Sequence, residues 1–343
     1  MELGKRKKQI VAVAVDEYIR TGEPVGSKVI AQLLGDTVSS ATVRNEMAEL
    51  SALGYLAQPH TSAGRIPTSK AFRLYVDQLM SCAPLSGESR HRIDERLEVA
   101  AGDPAYLMKQ ASDLLAEVTG YAVVTAAPDR RGAAVRRIEL LPTGSRSAAV
   151  LLMTDSGGLH TRVCHLESQA DPAALQDLAR ELNNEFAGKS LCDIGPASVQ
   201  RFLLCLLDGA GLKYTPVLTA FVELVQETAA ADVQLTGQLN LLQHPDYGPE
   251  TARSLLTFLS HRDQVANMLM AHSGGLSVLF GNDSPRPELS GSTIIVTRYA
   301  SGPRRDGALG LLGPLRMDYA QTIPHLEYVA QTVGRLLTEL FNE

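Results

Sequence analysis

Residues 39–50, SSATVRNEMAEL, decide how the N-terminal part of the chain is read. Val43, Met47 and Leu50 recur at helical spacing, so one face of a helix running from Ser39-Ser40 to about Leu53 turns inward, and Gly54 ends it. The same spacing sends Ser39, Ser40, Thr42, Arg44, Asn45 and Glu49 to solvent near the start of that helix. Arginine forks onto N7 and O6 of guanine, and asparagine pairs in the same way with adenine. Hydroxyls and free backbone amides at a helix start suit phosphate oxygens. The blander alternative is that Ser-Ser-x-Thr is ordinary N-cap chemistry and that Arg44 and Asn45 are idle surface residues.

The flanking sequence gives this helix a context. Ile10, Val11, Ala14, Val15, Tyr18 and Ile19 form an apolar stripe over residues 6–20, stopped by Thr21-Gly22-Glu23-Pro24. Ser27 is expected to cap a short second helix with Val29, Ile30, Leu33 and Leu34 inward, ended by Gly35. Downstream, Tyr55–Gln58 reads as a short strand, Pro59–Gly64 as a turn and Arg65-Ile66-Pro67 as the returning strand of an exposed hairpin, since proline is tolerated only at sheet edges. Thr68 then caps a helix to about Met80 with Phe72, Tyr75, Val76 and Leu79 on its apolar face. Helix, short helix, turn, helix, hairpin is the order of a winged helix-turn-helix, whose recognition helix enters the major groove by its N-terminal end. Arg65 on the wing is placed to reach the backbone or an adjacent minor groove, and His60 to assist it, although a lone wing histidine is more often simply exposed.

Charge is distributed in the same sense. Residues 1–80 hold ten Lys/Arg against eight Asp/Glu, whereas the remainder holds twenty-two against thirty, within a total of −6. A basic end on an acidic body suits a polyanion-binding head, with Lys5, Lys7 and Lys8 added to the phosphate-contact set; chance drift of surface charge is the alternative. Lys5–Lys8 followed by Ile10–Val15 imitates a signal peptide, but the apolar run meets Asp16-Glu17 too soon for a signal or a membrane span. Cys82, Cys164, Cys192 and Cys205 show no CxxC spacing and read as reduced thiols, so a cytoplasmic protein with no membrane partner is expected.

Residues 81–102, with Pro84, Gly87 and the charged run Glu88–Glu98, read as a linker or a solvated helix. From Asp103-Pro104 the pattern turns α/β: a helix at Tyr106–Val118, strands at Tyr121–Ala127, Val135–Leu141 and Ala148–Met153, and a hairpin signal at Asp155-Ser156-Gly157-Gly158 before Leu159–Leu166. Residues 171–230 are helical in period, strands resume near Val233–Leu242, helices follow at 250–271, and strands return at Leu276–Phe280 and Ile294–Tyr299. Gly307–Gly313 reads as a tight connection to a final helix, whose Ile323, Leu326, Ala330, Val333, Leu337 and Leu340 suit packing on a sheet. The expected organisation is a DNA-binding head at 1–80, a linker at 81–102, an α/β domain in two parts at 103–166 and 233–343, and an inserted, mainly helical subdomain at 167–232. In the insert Val199, Phe202, Leu203, Leu206 and Leu207 crowd one short helix. A few helices bury so much apolar surface poorly by themselves, which points to a partner, most simply a second copy of the chain; otherwise this face folds back on the neighbouring sheet.

At Tyr18–Lys28 (YIRTGEPVGSK), Ser39–Met47 (SSATVRNEM) and Gly54–Pro67 (GYLAQPHTSAGRIP), and again at Gly307–Tyr319 (GALGLLGPLRMDY), the chain closely resembles the HrcA family of heat-inducible transcription repressors. The resemblance spans the chain, with the middle alike only in pattern. Gly281-Asn282-Asp283-Ser284 departs from it, standing where a Gly-x-Glu-Asn turn is expected. The resemblance implies an α+β multidomain protein: a winged helix-turn-helix, a central GAF-like α/β domain, and an inserted dimerisation subdomain with Val199, Phe202, Leu203 and Leu206 at its interface. It also implies repression of chaperone operons through an inverted-repeat operator, CIRCE, bound by a homodimer, with the chaperonin GroEL keeping the repressor active. Two recognition helices on a dimer would read two half-sites set apart by the DNA helical repeat.

Other constellations are weaker. Asn183–Ser190 (NNEFAGKS) is a near-miss phosphate loop, with Asn183 in place of the first glycine and Gly188 better read as a helix stop. His160, Cys164 and His165 are close in sequence, but on a strand Cys164 and His165 face opposite sides. No HExxH, GxSxG or paired-carboxylate motif stands out, so neither an enzyme nor a cofactor or metal is expected. GAF-like folds often hold small ligands, which leaves a vestigial pocket near Gly307–Tyr319 open. Two competing functions are a winged helix whose central domain is a metabolite sensor or enzyme, and a winged helix that binds protein.

Overall fold

Helix α1 (Lys5–Thr21) buries Ile10, Val11, Ala14 and Val15 and stops at Gly22, whose left-handed backbone donates its N–H to the Tyr18 carbonyl. The architecture is that of a computed structural model describing residues 3–60, 63–126, 133–155, 158–205, 211–229, 233–271, 275–300 and 306–342. Helix α2 (Ser27–Leu33) follows; its N-cap is Gly26, and Ser27 makes no capping bond. With only seven residues it buries Ile30 and Ala31 while Val29 and Leu33 stand exposed, against the four-residue face expected. Helix α3 (Ser40–Ala52) buries Val43, Met47 and Leu50. Strands β1 (Leu56–Ala57) and β2 (Ile66–Pro67) pair antiparallel as the wing, extended by a bridge between Val25 and Arg65. Thr68 does not cap helix α4 (Ser69–Leu74); its hydroxyl donates to the Gly54 carbonyl at 2.7 Å, stitching the end of α3 to the wing. One π-helical turn, Tyr75–Leu79, continues α4.

Residues 81–102 are more than a linker. Helix α5 (Gly87–Glu98) is capped by Ser86 and buries Ile93 and Leu97, and Tyr328 donates to its Asp94. The charged run hides this because only two apolar residues anchor the buried side. Helix α6 (Pro104–Thr119), capped by Asp103, leads into strand β3 (Ala122–Ala126), buried throughout.

Residues 127–232 then form a compact unit of their own. Strands β4 (Val135–Gly144), β5 (Ser147–Thr154) and β6 (Leu159–His165) make a three-stranded antiparallel meander, accompanied by helices α7 (Pro172–Phe186), α8 (Pro196–Cys205) and α9 (Thr215–Ala229). Of the hairpin signal, Ser156 and Gly157 lie outside the described residues. The boundary expected at 167 therefore moves to 127, and strands 135–165 leave the α/β domain, because alternation identifies a strand without saying which sheet it joins. The helical side is filled by Phe186, with Phe202 and Phe221 at ring separations of 5.5 and 5.4 Å. Asn183 explains the near-miss phosphate loop: it bonds the backbone of Ile138 in both directions, at 2.9 and 2.7 Å, tying α7 to β4.

The chain returns to the first unit with β7 (Val233–Thr236), which ends sooner than expected, and α10 (Gln238–Gln243) takes over. Helices α11 (Pro249–Ser260) and α12 (Arg262–Met270), strands β8 (Ser277–Phe280), β9 (Ser292–Ala300) and β10 (Asp306–Pro314), and helix α13 (Tyr319–Asn342) complete it. The sheet order is β7-β3-β10-β9-β8, antiparallel throughout. Gly307–Gly313 is thus a central strand and not a connection. Its glycines leave room for the protein's own side chains: a Cβ at Gly307 would lie 2.1 Å from the Tyr299 ring, and at Gly313 2.7 Å from Tyr121. The head at 1–80 shares one hydrophobic core with this sheet and α13.

Phe186→Ala is expected to destabilise the 127–232 unit by ~3–5 kcal/mol, the usual cost of emptying a buried phenylalanine site. Denaturant unfolding followed by amide exchange in residues 135–229 measures it; a loss under about 1 kcal/mol would show that the aromatic cluster is not the centre of that core.

Candidate nucleic-acid interface

The exposed end of α3 is built by its cap. The Ser39 hydroxyl accepts the Thr42 N–H at 3.2 Å and lies 2.9 Å from the Thr42 hydroxyl, so part of its hydrogen-bonding capacity is spent at home. Ser40 and Thr42 are half-buried, whereas Arg44 and Asn45 are exposed. Among the described residues no hydrogen bond or ion pair engages the side chains of Arg44 or Asn45. A planar five-donor fork and a carboxamide therefore stand side by side in water, at the positive end of a helix held rigidly by three buried residues.

Two further elements flank this face. On the wing His60 is exposed, while Arg65 is half-buried and locked through its backbone, which exchanges bonds of 2.8 and 2.9 Å with Val25. A Cβ at Gly64 would lie 2.5 Å from the Val25 carbonyl oxygen, so this approach of wing to helix pair needs glycine. Thr61 and Ser62 of the wing lie outside the described residues. At the start of α1, Lys5 is exposed and Lys8 donates to Gln78 at 3.1 Å. Lys7 is engaged otherwise than expected: its ammonium sits 2.7 Å from Glu49 and 3.7 Å from Glu46, both on α3, and Arg6 lies 3.9 Å from Glu46. The bond to Glu49 pushes the Lys7 pKa up, so this charge is already paired within the head. Spacing within α1 carried no sign of this partner on another helix.

The head also carries contacts that its own sequence did not suggest. Tyr75 donates to Asp16, and burial raises its pKa. Beyond residue 80, Arg316 forks onto Asp246 and reaches the end of α1, Asn282 donates to Ser69 at 3.0 Å, and Arg73 pairs with Asp283 at 2.6 Å. The segment Arg316–Tyr319 (RMDY) and the departing turn at 281–284 are visible as strings; their partners, some 70 to 300 positions away, are not.

In the second unit Val199 and Phe202 are buried and Leu203 is half-buried, so the first two belong to its own core and are not available to a partner; Leu206 and Leu207 lie outside the described residues. The apolar residues left over lie on the opposite side of the meander, where Leu141, Ala149 and Val163 are in register across the strands, as are Met153 and Leu159. Among the described residues no group of three or more His, Cys, Asp or Glu could hold a metal, and no helix is long and apolar enough to cross a membrane.

A helix pair, an exposed Arg-Asn pair on the third helix and a two-stranded wing define a DNA-binding winged helix-turn-helix regulator. Comparison with known proteins narrows the class. Residues 2–80 match the family model for the winged helix-turn-helix transcription repressor, HrcA DNA-binding, and residues 105–323 match that for the HrcA protein C terminal domain. The chain is 33% identical to the heat-inducible transcription repressor HrcA of Desulforudis audaxviator, over 99% of this chain and 100% of that one. It is 33% identical to the HrcA of Streptomyces avermitilis, over 98% and 99%. A crystal structure of a hypothetical protein superposes with a TM-score of 0.65 at 25% identity, covering 99% of this chain and all of the other. The chain belongs to the HrcA family of heat-inducible transcription repressors.

Arg65→Gln is expected to weaken binding to every duplex sequence and to flatten the plot of log affinity against log salt by about 0.9, one phosphate contact. Titrations over a range of salt concentrations measure the slope; an unchanged value takes Arg65 out of the backbone-contact set.

Proposed function

We propose that the chain represses chaperone operons in the cytoplasm by binding, as a homodimer, an inverted-repeat operator of the CIRCE kind, with the chaperonin GroEL controlling the active fraction. The observation that carries base reading is the exposed, unengaged pair Arg44 and Asn45 at the start of α3. Arg44 reads guanine and Asn45 adenine, while Ser39, Ser40, Thr42, Arg65, Lys5 and Lys8 hold the phosphate backbone, with His60 beside them. In this scheme the β7-β3-β10-β9-β8 sheet with its helices is the GAF-like domain, and 127–232 is the inserted dimerisation subdomain. Support for its dimerising role is the apolar side of the meander, where Val163 is 63% and Leu159 58% exposed outside the core of that unit.

Arg44→Ala and Asn45→Ala are each expected to remove about 1–3 kcal/mol of discrimination at one base pair while circular dichroism stays native. Full affinity and specificity in both variants would dismiss the base-reading assignment. Leu159→Asp with Val163→Asp should sediment as a monomer; a dimer that survives both changes places the interface elsewhere.

A further inference from the structure

Helix α1 is held at both ends by charge. At its start Lys7 and Arg6 pair with Glu46 and Glu49 of the recognition helix α3. At its finish the Arg316 guanidinium, from the loop between β10 and α13, donates to the Ile19 carbonyl at 3.3 Å. The same guanidinium forks onto Asp246 at 2.5 and 2.6 Å, and its side chain is 19% exposed. Gly22, at φ +72, is the floor of this contact: a Cβ there would lie 3.0 Å from the Arg316 Cζ. A cation lying against the last carbonyls of a helix is favoured by the helix dipole, and the fork onto Asp246 fixes the direction from which it comes. Seventeen residues make α1 about 25 Å long, so a tilt of ~10° at the Arg316 end displaces the α3 end by roughly 4 Å. That is a large error for a helix that must meet base edges.

We infer that Arg316, seated by Asp246 and Gly22, is a positioning residue for DNA recognition, setting through α1 the angle at which each recognition helix is offered to its half-site. The inference rests on the proposal that two heads read an inverted repeat. Its sharpest consequence is selective: a loosened head still reads one half-site, but two loosened heads no longer match a fixed spacing.

The test uses the full-length chain with Arg316→Gln, and with Arg316→Gln plus Asp246→Asn so that no carboxylate is left unpaired. Amide exchange at Gly22 should accelerate while the amides of Val43–Leu50 stay protected. Affinity for the inverted-repeat duplex should fall at least about tenfold, out of the ~10²–10⁴ that joint engagement of two sites supplies. Affinity for a duplex with one half-site should not change, and altering the spacing by a few base pairs should cost the variant less than the parent. Arg316→Lys, which keeps the charge and loses the fork, should recover only part of the loss. Equal losses on single and paired half-sites, or an undiminished affinity for the inverted repeat, would overturn the inference. A parent chain that prefers neither duplex overturns the two-head proposal first, and the inference with it, before any variant is made.

Discussion

The Tyr319 ring is fully buried, 6.1 Å from Phe72 of the head and 6.4 Å from Phe280 at the end of β8. Its hydroxyl is satisfied within the same small volume, donating to the Leu315 carbonyl at 2.6 Å and lying 3.1 Å from the Thr293 hydroxyl. Such a tyrosine stabilises through the apolar burial of its ring, and because its hydroxyl is paired it escapes the cost of an unsatisfied buried polar group. Around this ring the head, the five-stranded sheet and α13 fuse into one core, in which Tyr18 meets Phe72 edge-on from α1. The polar contacts at the rim, Arg316 with Asp246 and Asn282 with Ser69, then fix direction more than they add strength.

What was legible in the sequence follows from the range of the forces involved. The recognition helix came out residue by residue, because Val43, Met47 and Leu50 are set by a local period and Ser39 by cap chemistry within three residues. The wing came out because two prolines and a glycine punctuate it. What failed was non-local. Nothing in 135–165 says that these strands pair with one another and not with β3, and nothing in Gly307–Gly313 says that neighbouring side chains will occupy the space its missing Cβ atoms leave. Lys7 looked like a free cation because its two carboxylate partners belong to a helix more than thirty residues away. The crowding at Val199 and Phe202 was real, but its answer was Phe186 and Phe221 inside the same unit.

The glycine-rich strand bears on what the central domain does. Tyr299, Leu269, Tyr121 and Met317 approach Gly307, Gly310 and Gly313 to within contact distance of where side chains would begin. The vacancy that a glycine run suggests in the sequence is filled by the protein's own groups, a dense packing with little slack. The nearby Tyr121 hydroxyl, which accepts the Asp318 N–H at 3.2 Å, belongs to the seating of the final helix.

The shared core has a thermal side. Two domains joined by a flexible linker melt separately, and a DNA-reading head on such a tether outlasts the body that carries it. Here the packing of Phe72 on Tyr319, and of α5 on α13 through Asp94 and Tyr328, makes head and sheet a single cooperative unit. Heat that opens the sheet also exposes the underside of the head, and the larger the unit that melts together, the narrower the temperature interval in which it does so. The recognition helix is thus supported by the same buried side chains that hold the sheet together, and the two share one structural fate.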